Sequence, residues 1–316
     1  MSASVFRVLS FLACIASSVA AQAPLTAASF LPPDYEIAVL ADLARMRECG
    51  IWDELDHSVL SVVLRKMEEQ SGMRADDIDR VRVVIVPERR DGDSDEAAEF
   101  RILYLCEGRG DLGRSGKHEG WIEERIGSFD CLSSGRELLL WPAQGLRVQG
   151  RRELIEPVLT GKPWNGLPHP DLLSLLSGAA KNLAYVVAAV DTPSLRRRIN
   201  IDLLQEIEWP ESDPPTWLML RLVASGTADD PGLSLQAVLR HREGKKGLSI
   251  SKESVQERLA EAAKNSLPAL RGFWRKVELR ADGVDLVAEA DLGRARAGVA
   301  TLAQLLAPVL LTEKAR

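Results

Sequence analysis

Two periodicities alternate along the chain. Tyr35 to Ala41 (YEIAVLA) is a compact apolar run of strand type. Helical spacing follows from Asp42 to Arg47 and again from Asp56 to Gln70, where Val59, Leu60, Val63, Leu64 and Met67 recur at helical steps. Val81 to Val86 is β-branched, and Phe100 to Cys106 runs back after an acidic loop, which predicts a hairpin. A short helix near His118 to Ile126, strands over Glu137 to Trp141 and Leu146 to Gln149, and a helix from Arg151 complete the order β-α-α-β-β-α-β-β-α.

The same order is predicted from Leu183 onward. LAYVVAAVD is strand-like, and Pro193 opens a helix to about Glu208. Trp217 to Ser225 and Leu233 to His241 flank Asp229-Asp230-Pro231-Gly232 as a hairpin, and a helix runs from Ser251 to about Asn265. Lys276 to Arg280 and Asp285 to Ala290 flank Asp282-Gly283, a strong turn signal, and a last helix covers Leu292 to about Leu310. The expectation is an α+β protein of two tandem repeats, with mostly antiparallel sheets and helices packed on one face. The repeats occupy residues 24–160 and 171–316, joined by the Pro/Gly linker 161–170 (GKPWNGLPHP), which is too broken for either periodicity. Trp164 in that linker is expected to pack between the repeats.

Residues 1–21 change the setting. Arg7, the largely apolar run from Val8 to Ile15 and the small residues up to Ala21 form a secretory signal, with cleavage after Ala20 or, preferably, Ala21. The run is too short to span a bilayer, and no later run is long enough either. Phe11-Leu12-Ala13-Cys14 only faintly matches a lipoprotein box, so lipidation at Cys14 is not expected. The mature chain is therefore expected to be secreted or periplasmic.

With 46% hydrophobic and 27% charged residues over 316 positions, the chain can bury a sizeable core and stay soluble. Losing residues 1–21 leaves 39 basic against 46 acidic side chains, a balance that speaks against nucleic acid as a partner. The imbalance sits in residues 24–160, at net −9, while 161–316 are at +2. Three cysteines remain in an oxidising compartment. Cys106 and Cys131, near adjacent predicted strands, are the disulfide candidates, and Cys49 is left over.

Leu31-Pro32-Pro33-Asp34, leading into an apolar strand and then Asp42-Leu43, resembles the opening of large uncharacterised families of secreted bacterial proteins with duplicated α+β domains. The resemblance implies an envelope protein and carries no activity, cofactor or catalytic residue.

The motifs that suggest chemistry each have a plainer reading. Gly108-Arg109-Gly110-Asp111-Leu112-Gly113 fits a dinucleotide fingerprint, but its strand belongs to a hairpin and further glycines delay a helix, so it is read as a loop. Asp91, Asp93 and Asp95 alternate as in a calcium loop, yet Glu96 replaces the turn glycine and Ile102 the bidentate Glu. Ser249-Ile250-Ser251-Lys252 matches S-x-x-K, in which a lysine activates a serine, but Ser251 is read as an N-cap with Glu253 in the first turn. His57, His118, His169 and His241 show no metal-ligand spacing, and Glu68-Glu69 and Glu123-Glu124 are expected on helices where neighbours do not share a face. No cofactor or metal is expected. The reading is a non-catalytic exported binding or structural module, with an envelope protein or peptide as partner. The alternative is an extracytoplasmic hydrolase whose site is assembled from distant residues, with Ser251 and Lys252 as candidates.

Overall fold

The computed structural model describes residues 25–33, 35–56, 61, 65, 68, 69, 71–88, 99–116, 118–162, 164, 182–190, 215–226, 230–242, 245–266 and 268–312. Residues 1–24, the helices expected from Pro193 to Glu208 and over most of Asp56 to Gln70, and the Asp91–Asp95 loop lie outside these. A 3-10 turn at Ala27–Phe30 precedes β1 (Ile37–Asp42), α1 (Leu43–Glu48) and α2 (Ile51–Asp56). β2 (Ile78–Glu88) and β3 (Glu99–Gly108) form the expected hairpin, followed by β4 (Ile122–Ile126), β5 (Phe129–Ser134), β6 (Glu137–Ala143), β7 (Leu146–Arg151) and α3 (Arg152–Leu159). Beyond them lie β8 (Asn182–Ala189), β9 (Pro215–Gly226), β10 (Pro231–His241), α4 (Lys245–Asn265), α5 (Pro268–Trp274), β11 (Glu278–Asp282), β12 (Asp285–Arg294) and α6 (Ala295–Thr312).

The strands form a single 12-stranded sheet, in the order β11-β12-β10-β9-β8-β1-β2-β3-β7-β6-β5-β4, and every pairing is antiparallel. The α+β class and antiparallel pairing agree with the sequence reading; the separate sheets do not. β1 and β8 are both apolar strands. They pair directly, Ile37 opposite Ala188 through Ala41 opposite Ala184, and fuse the two expected sheets at this seam. Outward from the seam the order is β2-β3-β7-β6 on one side and β9-β10-β12-β11 on the other.

Alternation along the strands gives the sheet two faces. Val84, Leu103, Leu105, Val148, Val187, Met219, Val238 and Val287 lie on one face in a continuous buried cluster that includes Phe30 and Leu154, Ile155, Val158 and Leu159 of α3. The opposite face carries Cys106, Leu233, Ala290 and Leu292, which pack against Leu43 and Met46 of α1, Ile51 of α2, Phe273 of α5 and Val299 of α6. Leu248 of α4 joins Leu218, Leu239 and Leu286 on that same face. The helices therefore divide between the faces instead of sharing one, because α3 folds back over Leu138, Leu140 and Val148 and forms the cover of its own end of the first face.

The helix expected near His118 to Ile126 is absent. Ile122–Ile126 is strand β4, paired with β5 across a two-residue turn in which Gly127 holds φ at +60°, a conformation glycine adopts without steric cost. Glu123 and Glu124 thus sit on a strand, and Glu124 accepts two hydrogen bonds from Arg152, at 2.9 and 2.5 Å, tying α3 to the sheet margin. Both margins are short and charged: β4 carries Glu123, Glu124 and Arg125, and β11 carries Glu278, Arg280 and Asp282. Such margins resist addition of a further strand.

Because one buried cluster spans the seam, the sheet is expected to unfold as one unit. Leu103→Ala, at a fully buried site in the half that precedes the seam, should cost about 2–5 kcal/mol and shift a single denaturation transition. Exposed Ile122→Lys should stay within about 0.5 kcal/mol. Two separate transitions in chemical denaturation, of which Leu103→Ala moves one, would contradict this.

Candidate functional site

Beside the seam, the first face changes from apolar to charged within two residue steps. Strand register sets Ala38 beside Val84, Leu40 beside Arg82, and Asp42 beside Arg80, so successive rows run apolar, mixed and charged. Across β3, Glu107 opposes Arg80. Asp42 ends β1 and does two jobs. Its Oδ1 accepts the Arg45 N–H at 3.0 Å and caps α1, while its Oδ2 accepts Arg80 Nε at 3.2 Å and Nη2 at 2.9 Å. Burial works against the Arg80 charge, but the Asp42 hydrogen bond and the charges of Asp42, Glu107 and Asp79 outweigh it and hold the guanidinium above its ordinary pKa. Glu107 Oε2 lies 3.2 Å from Arg82 and 3.9 Å from Arg80, without hydrogen-bond geometry to either.

Two contiguous chambers open here and share Asp42 and Arg80. The larger, about 680 Å³, is lined by Asp42, Glu48, Asp79, Arg80, Glu107 and Arg109 and by the backbone of Gly108 and Gly145. Gly108 N–H donates to Gly145 O at 2.9 Å. A side chain at Gly145, where φ is +72°, would come within 2.4 Å of the Gly108 carbonyl, so only glycine closes this wall. Asp79 is held by Arg47 at 2.8 Å and Arg109 at 3.3 Å. The smaller chamber, about 490 Å³, has Tyr35, Tyr185 and Arg82 facing Leu31, Ala38, Leu40 and Val84. Burial pushes the Tyr35 phenol up to about 12, with Tyr185 adding to the effect and Arg82 opposing it. Burial likewise raises Tyr185 against the pull of Arg82 and Arg80. Both phenols are neutral hydrogen-bond donors at neutral pH.

The candidates drawn from the sequence lie elsewhere. Cys106 and Cys131 are separate thiols on β3 and β5, with β7 and β6 between them. Three strand spacings amount to about 14 Å, well beyond the reach of a disulfide. Cys106 is desolvated beside Arg147, and burial raises its thiol to about 11 despite that charge. Cys49 is a half-buried thiol after α1. Ser251 is not an N-cap: α4 begins at Lys245, and Ser251 is fully buried inside it, its Oγ without a hydrogen-bond partner among the described residues. Adjacent Lys252 projects from another side of the helix.

The Gly108–Gly113 segment forms a turn, not a strand-to-helix cradle. Asp111 accepts from the Gly113 and Ser115 backbone N–H groups, and the Leu112 carbonyl accepts from Trp141 Nε1 and the buried Arg147. His118 lies against Trp141 and His241 is buried, while His57 and His169 are outside the described residues. Trp164 packs half-buried against the first-face cluster. Among the described residues no three His, Cys, Asp or Glu side chains gather as metal ligands, and no helix is long and apolar enough to cross a membrane. The chamber residues escaped the sequence reading. Their signal was Arg80 and Arg82 alternating with valines inside an otherwise apolar strand, which places both guanidiniums on one face.

No family model matches the sequence, and no curated protein matches it. Among solved structures, crystal form III of TP0453 is similar over 89% of this chain and 98% of its own, with a TM-score of 0.50 at 9% identity. Crystal form I of the same protein gives 0.45 at 10% identity over 90% and 98%. The likeness to form III is one of fold.

Tyr35→Phe tests the buried phenol. A folded-state pKa near 12 against an unfolded value near 10 means that the phenol's contribution is intact below about pH 10 and is lost as pH climbs towards 12. Denaturation of wild type and Tyr35→Phe across that window should therefore show wild type losing stability faster. Parallel curves would contradict the buried, unionised phenol.

Proposed function

We propose that the protein is an exported component of the bacterial envelope, periplasmic or secreted, that works by binding rather than by turnover. The two-chamber groove carries this reading. Asp42 and Asp79 are held by arginines, while two phenols and Arg82 face an apolar wall, a composition suited to holding and orienting a ligand. Export rests on the signal-like residues 1–21, with cleavage after Ala21. We further read the chain as a duplication of one α+β unit, residues 24–160 and 171–316. The strand order mirrored about β1 and β8 supports it, with β4 and β5 as an addition to the first copy. On this reading, duplication placed the groove beside the join, where Tyr185 of the second copy reaches Tyr35 and Arg82 of the first.

The hydrolase alternative depends on Ser251 and Lys252. The burial of Ser251 within α4, away from both chambers, favours the binding reading. An edge-docked peptide partner is likewise disfavoured by the charged margins, which leaves the groove as the place of contact.

Expression in a bacterial host followed by fractionation and treatment with a fluorophosphonate serine probe tests this. The protein is expected in the envelope or medium without residues 1–21, and labelled no more than Ser251→Ala. Retention of residues 1–21 in the cytoplasm would overturn export; labelling that Ser251→Ala abolishes would overturn the binding reading.

A further inference from the structure

The two chambers differ in what they leave unsatisfied. In the larger one, two of the acids are held by arginines, Asp42 by Arg80 and Asp79 by Arg47 and Arg109, while Glu107 Oε2 is left without a hydrogen bond. In the smaller one, donors exceed acceptors. The Tyr35 and Tyr185 hydroxyls have no hydrogen-bond partner among the described residues. Arg82, with five N–H donors, has one ionic contact, to a Glu107 oxygen that it shares with Arg80. Both oxygens of Asp42, the acid on this chamber's wall, are already engaged. Ala28, Leu31, Ala38, Leu40 and Val84 supply no polar side-chain atom. The chamber therefore presents a partly neutralised guanidinium and two phenols together with a hydrocarbon wall. Its volume of about 490 Å³ falls within the range of small-molecule sites.

We propose that the smaller chamber binds a small organic anion with an apolar body. Its carboxylate or sulfonate sits on Arg82 between Tyr35 and Tyr185, and its hydrocarbon lies against Leu31, Ala38 and Val84. Charge complementarity decides the class: Arg80 is fixed by two hydrogen bonds to Asp42, whereas Arg82 has N–H groups to spare, and an oxyanion that presents two oxygens matches its fork. A cation would face Arg82 while the one acid on the chamber's wall, Asp42, is already engaged, and a neutral apolar molecule would leave the donors unmatched and desolvated. This proposal rests on the binding reading above and names its ligand class.

Two fluorescent probes of similar shape test it on the full mature chain: the anion 8-anilino-1-naphthalenesulfonate and the neutral N-phenyl-1-naphthylamine. Wild type is expected to bind one equivalent of the anion, about tenfold or more tighter than the neutral probe, as a charge-assisted hydrogen bond implies. Arg82→Gln should weaken the anion about tenfold and leave the neutral probe within about twofold, and Arg82→Lys should recover part of the loss. Tyr185→Phe should weaken the anion by a smaller factor and serves as the second reading if Arg82→Gln melts early. Leu31→Trp, which fills the chamber from its rim, should weaken both probes. If both probes bind equally, are lost in Leu31→Trp and ignore Arg82→Gln, the anion assignment fails while the groove stands. If neither binds saturably, or Leu31→Trp changes nothing, the groove reading fails and the anion assignment with it.

Discussion

The pairing of β1 with β8 is the constraint on which the rest of the structure depends. Each strand is apolar on both faces over most of its length, and each would otherwise end a sheet with a row of unpaired N–H and C=O groups. An apolar edge of that kind invites association with other chains. Joining the two edges removes the hazard and creates a sheet with its most apolar strands at the centre and its most charged ones, β4 and β11, at the margins. The same join makes the buried cluster of the first face continuous from Leu138 and Leu140 to Val238 and Val287.

The groove is a consequence of that arrangement. A sheet centre covered on one face by apolar side chains is an expensive place for ionised groups, because desolvation must be offset by pairing and hydrogen bonds. The cluster meets this condition for Asp42, whose two oxygens serve the α1 cap and Arg80, and for Asp79, which two arginines hold. It meets it less fully for Arg82 and Glu107, whose Oε2 is buried without a hydrogen bond, and the two neutral phenols face the chamber beside them. Polar groups left short of partners inside a cavity are the usual mark of a place built for something else to enter. Tyr185 reaches the chamber only because β8 lies against β1, so the seam that closes the sheet also completes the site.

Much of the local structure was legible in the sequence. Apolar runs and turn residues located β1 to β3, β6 to β10 and β12, and the Asp282-Gly283 signal located the last hairpin. β4 and β5 were not legible because Trp121, Ile122 and Ile126 fit a helical step as well as a strand, and Gly127-Ser128 is a weaker turn signal than Asp282-Gly283. α4 begins six residues before its expected start, since the N-cap reading placed Ser251 at the helix end, whereas Leu248 packs into the core and Ser251 lies inside the helix. The seam itself had no local signal: an apolar strand announces that it is buried on both faces but not which strand lies at its edge. The Cys106–Cys131 expectation failed for the same reason, since strands close in sequence are separated in the sheet by β7 and β6. The chamber was invisible because it draws on three separated segments, around Tyr35, Arg82 and Tyr185, that only the seam brings together.

Amide hydrogen exchange resolved along β1 and β8 tests the central claim most directly. If the seam is internal and both strands belong to one cooperative sheet, the Val39, Leu40, Val186 and Val187 amides should exchange only through global unfolding, with one common free energy, while β4 and β11 at the margins exchange through cheaper local opening. Exchange at β1 or β8 as easy as at the margins, or with two different free energies on the two sides of the seam, would contradict a single sheet joined there.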